Sequence, residues 1–244
     1  MTQKQALETR TEKALKQSAS DFYRARQSWS LFISSNGPFD SPKRSLHEIV
    51  NKANLGFSFN AIQNLSISDC ILSICRLTDS VSDDRLNICL LRRDMEKHRN
   101  LFLENAEAFF ADPGNLIHGR SCQVELLRYC GQFIYTLTLI DEFIASRSLK
   151  TIRSHRNKVL AHSLKSKADV PKVSDVEDAL TAAGKVIAAL YLVLQHSTLV
   201  VDELESQYLR KFDKFWDAVE LGAQEQPKRQ AQKFQEMLQR AQKT

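Results

Sequence analysis

The stretch "SCQVELLRYCGQFIYTLTLIDEFIAS" (residues 121–146) decides the fold class. Read locally, its centre, "FIYTLTLI" at 133–140, is rich in β-branched and aromatic residues and suits a strand. Read whole, it runs for more than twenty residues without a proline, well beyond the usual strand of about 5–6 residues, and so predicts a buried helix.

The composition points the same way. Seven glycines and five prolines in 244 residues leave little punctuation for the many turns of an all-β fold. The 43% hydrophobic and 26% charged content is ordinary for a soluble globular chain long enough for one good core. A formal charge of +5 is compatible with an anionic partner without demanding one.

Long helices follow on both sides of that stretch. Residues 3 to about 34 predict one helix carrying Leu7, Leu15, Phe22, Trp29 and Phe32, stopped by "NGPFDSP" at 36–42. A shorter helix is expected over "KRSLHEIVNKAN", and another over about 59–79 with a broad apolar stripe. Two helical pieces span "SDDRLNICLLRRDMEKHRNLFLENAEAFFAD", ended by Pro113-Gly114, and a further helix covers about 148–165. Ser174 with Glu177 reads as a capping box opening a helix to about 197. Another helix covers about 201–221, and "EQPKRQAQKFQEMLQRAQKT" forms a polar last helix or frayed tail. The chain is predicted to be all-α: an N-terminal helix at 1–40, a helical core at 41–200 and a C-terminal helical extension at 201–244.

Several classes of protein are disfavoured. The five cysteines are odd in number, never spaced C-x-x-C and set among apolar residues, so neither a disulfide framework nor a zinc site is expected. The N-terminal residues lack the apolar core of a secretory signal. The most apolar run, "VIAALYLVL" at 186–194, is about half the ~20 residues of a membrane span. A cytoplasmic protein without membrane contact, metal or cofactor is expected. Asp141-Glu142 has no partner ligand cluster, and Trp29, Trp216, Phe212 and Phe215 read as packing anchors.

The chemistry-bearing segment is "IRSHRNKVLAHS" (152–163). Arginine offers a permanent charge and a planar fork of donors to phosphate oxygens. Histidine, with a reference pKa of ~6.5, exchanges protons near neutral pH. Arg156 and His162 together therefore suit a phosphodiester, and RNA supplies its own nucleophile in the 2′-hydroxyl. A bare Arg-x4-6-His spacing arises about once by chance in a chain of this make-up. Arg93…His98 is a second match, in the densely charged "RRDMEKHRN", which reads as a solvated face. On an ideal helix Arg156 and His162 point ~120° apart, so two such helices facing each other across a two-fold axis would complete one cleft. Residue chemistry alone leaves open whether the segment is a site or a solvated helix face.

"RNKVLAH" (156–162) resembles the signature of the HEPN superfamily, the higher eukaryotes and prokaryotes nucleotide-binding domains. Upstream, Arg76-Leu77-Thr78-Asp79 closing an apolar helix, then Asn87, Ile88 and Leu90, resemble its abortive-infection U-type branch. The resemblance covers about residues 45–200, leaving both terminal extensions outside. One departure is Leu164, where some branches carry tyrosine.

The resemblance implies a HEPN-like helical bundle, usually a homodimer, and in many members a metal-independent endoribonuclease of phage defence or a toxin–antitoxin pair. It implies that Arg156 binds the scissile phosphate, His162 acts as acid/base and Asn157 orients the site. Arg153, His155, Lys158, Arg76 and Asp79 are candidate substrate-binding residues, although Asp79 reads better as pairing with Arg76 near a helix end. The expected partners are RNA, a second copy of the chain, and an antitoxin or defence partner protein. The competing expectation is a non-catalytic helical module that holds nucleotide, RNA or protein.

Overall fold

A computed structural model describes residues 2–35, 50, 55–79, 86–117, 120–160 and 171–241. Every regular element among them is helical, as the composition implied. Eight α-helices follow in order: α1 (Gln3–Ser35), α2 (Gly56–Arg76), α3 (Ile88–Lys97), α4 (Arg99–Ala111), α5 (Cys122–Ala145), α6 (Arg147–His155), α7 (Val173–Gln195) and α8 (Val201–Ala241). A 3-10 turn (Pro113–Asn115) follows α4, and a π turn (Arg156–Leu160) follows α6. The expected "NGPFDSP" turn lies outside the described residues, as does the "KRSLHEIVNKAN" helix except for Val50. No helix among the described residues is long and apolar enough to cross a membrane.

The deciding stretch is α5. Its buried positions, Glu125, Tyr129, Phe133, Thr136, Ile140 and Phe143, recur every three or four residues, the period of a helix with one face in a core. Ser121 caps it, accepting the Val124 N–H at 3.4 Å. The threonines that suggested a strand are accommodated by back-bonding: Thr136 and Thr138 hydroxyls donate to the Gln132 and Ile134 carbonyls at 2.8 and 3.2 Å.

The chain divides into two compact units, and α1 and α2 each contribute to both. The first comprises residues 1–25 and 71–201. In it α5 packs on α3, α4, α6 and α7, and α6 on α7. Its fully buried side chains include Phe22, Ile74, Leu91, Met95, Phe133 and Leu149. The apolar run at 186–194 lies in α7, with Val186, Ile187, Leu190 and Val193 all buried in this core. Gly184 sits where a side chain would collide: a Cβ would lie 3.2 Å from both Phe22 Cζ and Val201 Cγ1. Gly184→Val is expected to destabilise by ~1–3 kcal/mol through overpacking, outweighing the ~1 kcal/mol that losing a helical glycine returns. Thermal melting of the variant tests this.

The second unit comprises residues 26–70 and 202–244. Val50, Phe59 and Trp216 form its buried cluster, with Leu31, Ile62 and Phe212 packed around them. The Trp216 indole N–H donates to Ser34 Oγ at 3.0 Å, and Phe59 meets its ring edge-on. Trp29 is buried against Phe32. Both tryptophans are packing anchors, as expected.

Four local expectations need correction. The start of α7 is not a Ser174–Glu177 box: the helix begins at Val173, and Asp175 accepts the Lys172 N–H at 2.8 Å. Lysine has no acceptor to return the bond, so half of a box forms, two residues earlier than its serine-led version. The last helix is single and runs through Pro227, because strong helix formers on both sides outweigh the loss of one backbone donor. "RRDMEKHRN" is only partly a solvated face. Asp94 and Met95 are buried, and Arg10 of α1 pairs with Asp94 at 2.8 Å, whereas Glu96 and Lys97 are exposed. Finally, the helix expected over 148–165 is α-helical only to His155 and continues as the π turn; its later residues lie outside those described.

No disulfide joins the five cysteines; Cys70 and Cys75 are buried and the others partly so.

His196 ends α7 with a left-handed backbone (φ 51°). Burial disfavours its charged form and holds the imidazole below its ordinary range. The folded chain thus binds this proton less readily than the unfolded one. The corresponding stability is present above pH ~6.5 and is lost as pH falls through the folded value. His196→Asn, which tolerates the same backbone, is expected to flatten the drop in melting temperature between about pH 7.5 and about pH 5.

Candidate functional site

The motif segment is anchored from its N-terminal side. Ser146 Oγ accepts the Leu149 N–H at 3.3 Å, capping α6, and Leu149 and Ile152 are fully buried. The cationic residues come next. The Arg153 guanidinium donates through Nη2 to the Thr78 carbonyl. Arg156 opens the π turn: its Nη1 donates to Asp79 Oδ1 at 2.5 Å, and its Nε to Asn157 Oδ1 at 3.0 Å.

Both bonds across the unit end on the segment that follows α2. There Thr78 N–H turns back to the Cys75 carbonyl at 3.1 Å, carrying Asp79 past the helix end. Asn87 holds this segment from the far side. Its Nδ2 donates to the Asp79 carbonyl at 2.9 Å while its Oδ1 accepts the Leu90 N–H at 3.1 Å, capping α3. Ile88 N–H adds a bond to the Leu77 carbonyl at 3.1 Å. The three segments singled out in the sequence, residues 76–79, 87–90 and 156–160, therefore meet around one ion pair.

That pair corrects one expectation. Asp79 is partnered by Arg156, not by Arg76, which is exposed in the last turn of α2. The partner lies 77 residues away, beyond the reach of local pattern. Both members are about three-quarters or more buried, with Arg156 at 23% and Asp79 at 20% side-chain exposure. Burial works against the Arg156 charge, but the hydrogen bond to Asp79 and the negative charges at Cys75 and Asp79 together outweigh it and leave the guanidinium more firmly protonated than usual. A charge-assisted bond of this kind fixes the plane of the fork, leaving Nη2 as the terminal nitrogen that neither bond uses.

Asn157 and Lys158 are exposed, and His155 is partly buried. His155 Nδ1 is enclosed without a hydrogen-bond partner among the described residues, and burial lowers its pKa, so it is neutral near pH 7. The Cys75 and Cys89 thiols feel the same cluster, yet burial dominates and raises both, Cys75 to about 11. Neither is a ready thiolate. Asp141 is held by Arg92 through Nε at 2.5 Å and Nη2 at 3.0 Å, a surface ion pair. His162 lies outside the described residues, as do Ala161 and Leu164. Among the described residues no three His, Cys, Asp or Glu side chains are grouped to hold a metal ion.

The π turn also changes the geometry read from an ideal helix. Its backbone bonds span five residues rather than four, so the ~120° divergence calculated for an α-helix does not apply beyond His155. Two features escaped sequence reasoning. Asn87 was recognised as part of a motif but not as the clamp on Asp79. A cavity lined by Phe109, Phe110, Tyr129 and His196 draws on α4, α5 and the end of α7, with no spacing pattern to announce it.

No curated protein and no solved structure matches the chain. A protein-family model does: HEPN_AbiU2, described as AbiU2, matches residues 4–215. The match takes in α1 and the first third of α8, which the motif resemblance had left outside. With three of its motifs gathered at the Asp79–Arg156 pair and most of its length matched, the chain belongs to the HEPN_AbiU2 family.

Proposed function

We propose that this protein is a metal-independent endoribonuclease of phage defence, working in the cytoplasm as a homodimer that an antitoxin or defence partner protein controls. The observation that carries the reading is the Arg156 guanidinium, three-quarters buried and oriented by Asp79 and Asn157 where three motif segments meet. A cation held in a fixed plane suits a phosphodiester better than a freely swinging one.

In this reading a scissile phosphate docks on the Nη2 side of Arg156. His162 takes the proton of the neighbouring 2′-hydroxyl, whose oxygen attacks phosphorus. The P–O5′ bond breaks, and a proton returns to the leaving oxygen. The products are a 2′,3′-cyclic phosphate and a 5′-hydroxyl. Lys158 and Arg76, both exposed, would draw in flanking phosphates, whereas Arg153 is committed to the Thr78 carbonyl and props the site. The homodimer rests on the family resemblance, in which two motifs share one interface.

The test is to incubate purified protein with RNA in excess EDTA and determine the product ends. Cleavage to 2′,3′-cyclic phosphates at an unchanged rate, with resistance of RNA deoxy-substituted at the cut, is the expected result. Clean protein that never cleaves RNA, with or without candidate partners, would defeat the reading. Sedimentation at micromolar concentration is expected to report a dimer.

One observation favours a second reading, a non-catalytic module that binds nucleotide, RNA or protein. Asp79 already neutralises Arg156, as in a purely structural ion pair. RNA binding without cleavage, unaffected by His162→Ala, would select it.

A further inference from the structure

The aromatic cavity in the first unit shares no residue with the Arg156 cluster. It has a volume of about 370 Å³, within the range of small-molecule sites. Its walls are aromatic. The Phe109 and His196 rings stack at 4.0 Å and 12°, forming one rigid two-ring slab. Phe110 stands nearly perpendicular, 5.5 Å from His196 at 72°, and Tyr129 closes the corner at 5.6 Å. Apolar Leu192, itself exposed, also lines it, so the cavity is reachable.

Its polar lining comprises Asn115 and Gln132 besides the charged Glu125 and Arg128. Glu125 is 6% exposed and lines the cavity in the first turn of α5. Its Oε1 accepts Arg120 Nη1 at 3.1 Å, and its Oε2 lies 3.6 Å from Arg128 Nη1. Each carboxylate oxygen can accept two hydrogen bonds, so both keep capacity toward a ligand. Arg128 also lines the cavity, with its side chain 57% exposed.

Three ligand chemistries compete for such a site. A cationic ligand would suit an aromatic cage with one acid, but two arginines flank that acid and repel it. A purely apolar ligand would make no use of the Glu125 carboxylate, already paired with Arg120 and Arg128, or of the Arg128 charge. A planar base bearing two adjacent donors, joined to an anion, engages the rings, the carboxylate and Arg128 together. The rings receive its faces, the carboxylate its paired N–H groups and Arg128 its phosphate. Among the common bases guanine presents that donor pair, at N1 and the 2-amino group.

We infer that this cavity, walled by Phe109, Phe110, Tyr129 and His196, binds a guanine nucleotide, read by Glu125 and anchored by Arg128. The nucleotide is either free or the unstacked end of an RNA. The site stands apart from the ribonuclease reading and survives or fails independently of it.

Calorimetric titration of the full chain with GMP, IMP, AMP, UMP and choline tests it. GMP should bind at least ~10-fold more tightly than IMP, which lacks the 2-amino donor, and than AMP or UMP. Glu125→Gln should bring GMP and IMP within about threefold of each other, since an amide offers one acceptor atom instead of two. Arg128→Ala should weaken GMP ~10-fold while leaving guanosine unchanged. This exposed substitution decides the matter if Glu125→Gln does not fold by circular dichroism. An oligocytidine with one terminal G that displaces GMP identifies RNA as the source, whereas GMP retention identifies the free nucleotide. Absence of GMP binding up to ~1 mM, equal binding of all four nucleotides, or preference for choline would overturn the assignment.

Discussion

His162→Ala is expected to lower RNA cleavage by ~10²–10⁴-fold, the usual contribution of a positioned proton-transfer group. Arg156→Ala should cost at least as much, because the phosphate loses its one cation held in a fixed plane. The Arg156→Ala loss should not come from global unfolding, because Arg156 sits at the end of a short helix anchored independently by Leu149 and Ile152. Arg93→Ala and His98→Ala should cleave at nearly the wild-type rate. These residues share the Arg-x4-His spacing, but they sit at the end of α3, where Arg93 approaches Asp94 at 3.7 Å and the His98 N–H completes the helix. Single-turnover cleavage of a labelled RNA by the four variants separates a site from a spacing. Equal losses in all four would leave no special role for residues 156–162.

The second large effect is expected at Asp79, which touches no substrate in the proposed mechanism and acts by positioning. Asp79→Ala leaves Arg156 partly buried without its anion, costing ~1.5–3 kcal/mol of local stabilisation and freeing the guanidinium to rotate. Cleavage should fall ~10–100-fold, chiefly in kcat, since the misplacement harms the transition state more than initial capture. Asp79→Asn keeps an acceptor oxygen for Arg156 Nη1 and should restore most of the rate. A merely structural carboxylate would show the same melting losses in both variants with no split between kcat and KM. Asn87→Ala should resemble Asp79→Ala in a weaker form, because it removes the bond that holds the Asp79 carbonyl.

The sequence was informative where the physics is local. Period and length placed most of the helices, and α5 shows why: threonine hydroxyls that argued for a strand find their acceptors one turn back in the helix. The motif segments were legible as separate strings, since each carries its own residue types. What they do together was not legible. The Asp79–Arg156 bond spans 77 residues, and nothing in "RLTD" chooses between Arg76 nearby and Arg156 far along the chain. The π turn was invisible for a related reason: "RNKVL" contains no glycine or proline to signal a change of helical pitch. Pro227, conversely, signalled a break that the surrounding helix formers override. The aromatic cavity depends on three helices arriving together, and it appears only once they are packed.

The central claim is that Asp79 works through Arg156 at the scissile phosphate, and a double-mutant cycle in RNA cleavage tests it most directly. If Asp79 serves only to set the Arg156 guanidinium, Asp79→Ala should add almost nothing once Arg156 is alanine. The double variant should then cleave within about threefold of Arg156→Ala alone. Losses that multiply, with the double variant ~10–100-fold below Arg156→Ala, would contradict that coupling and separate the ion pair from the chemistry.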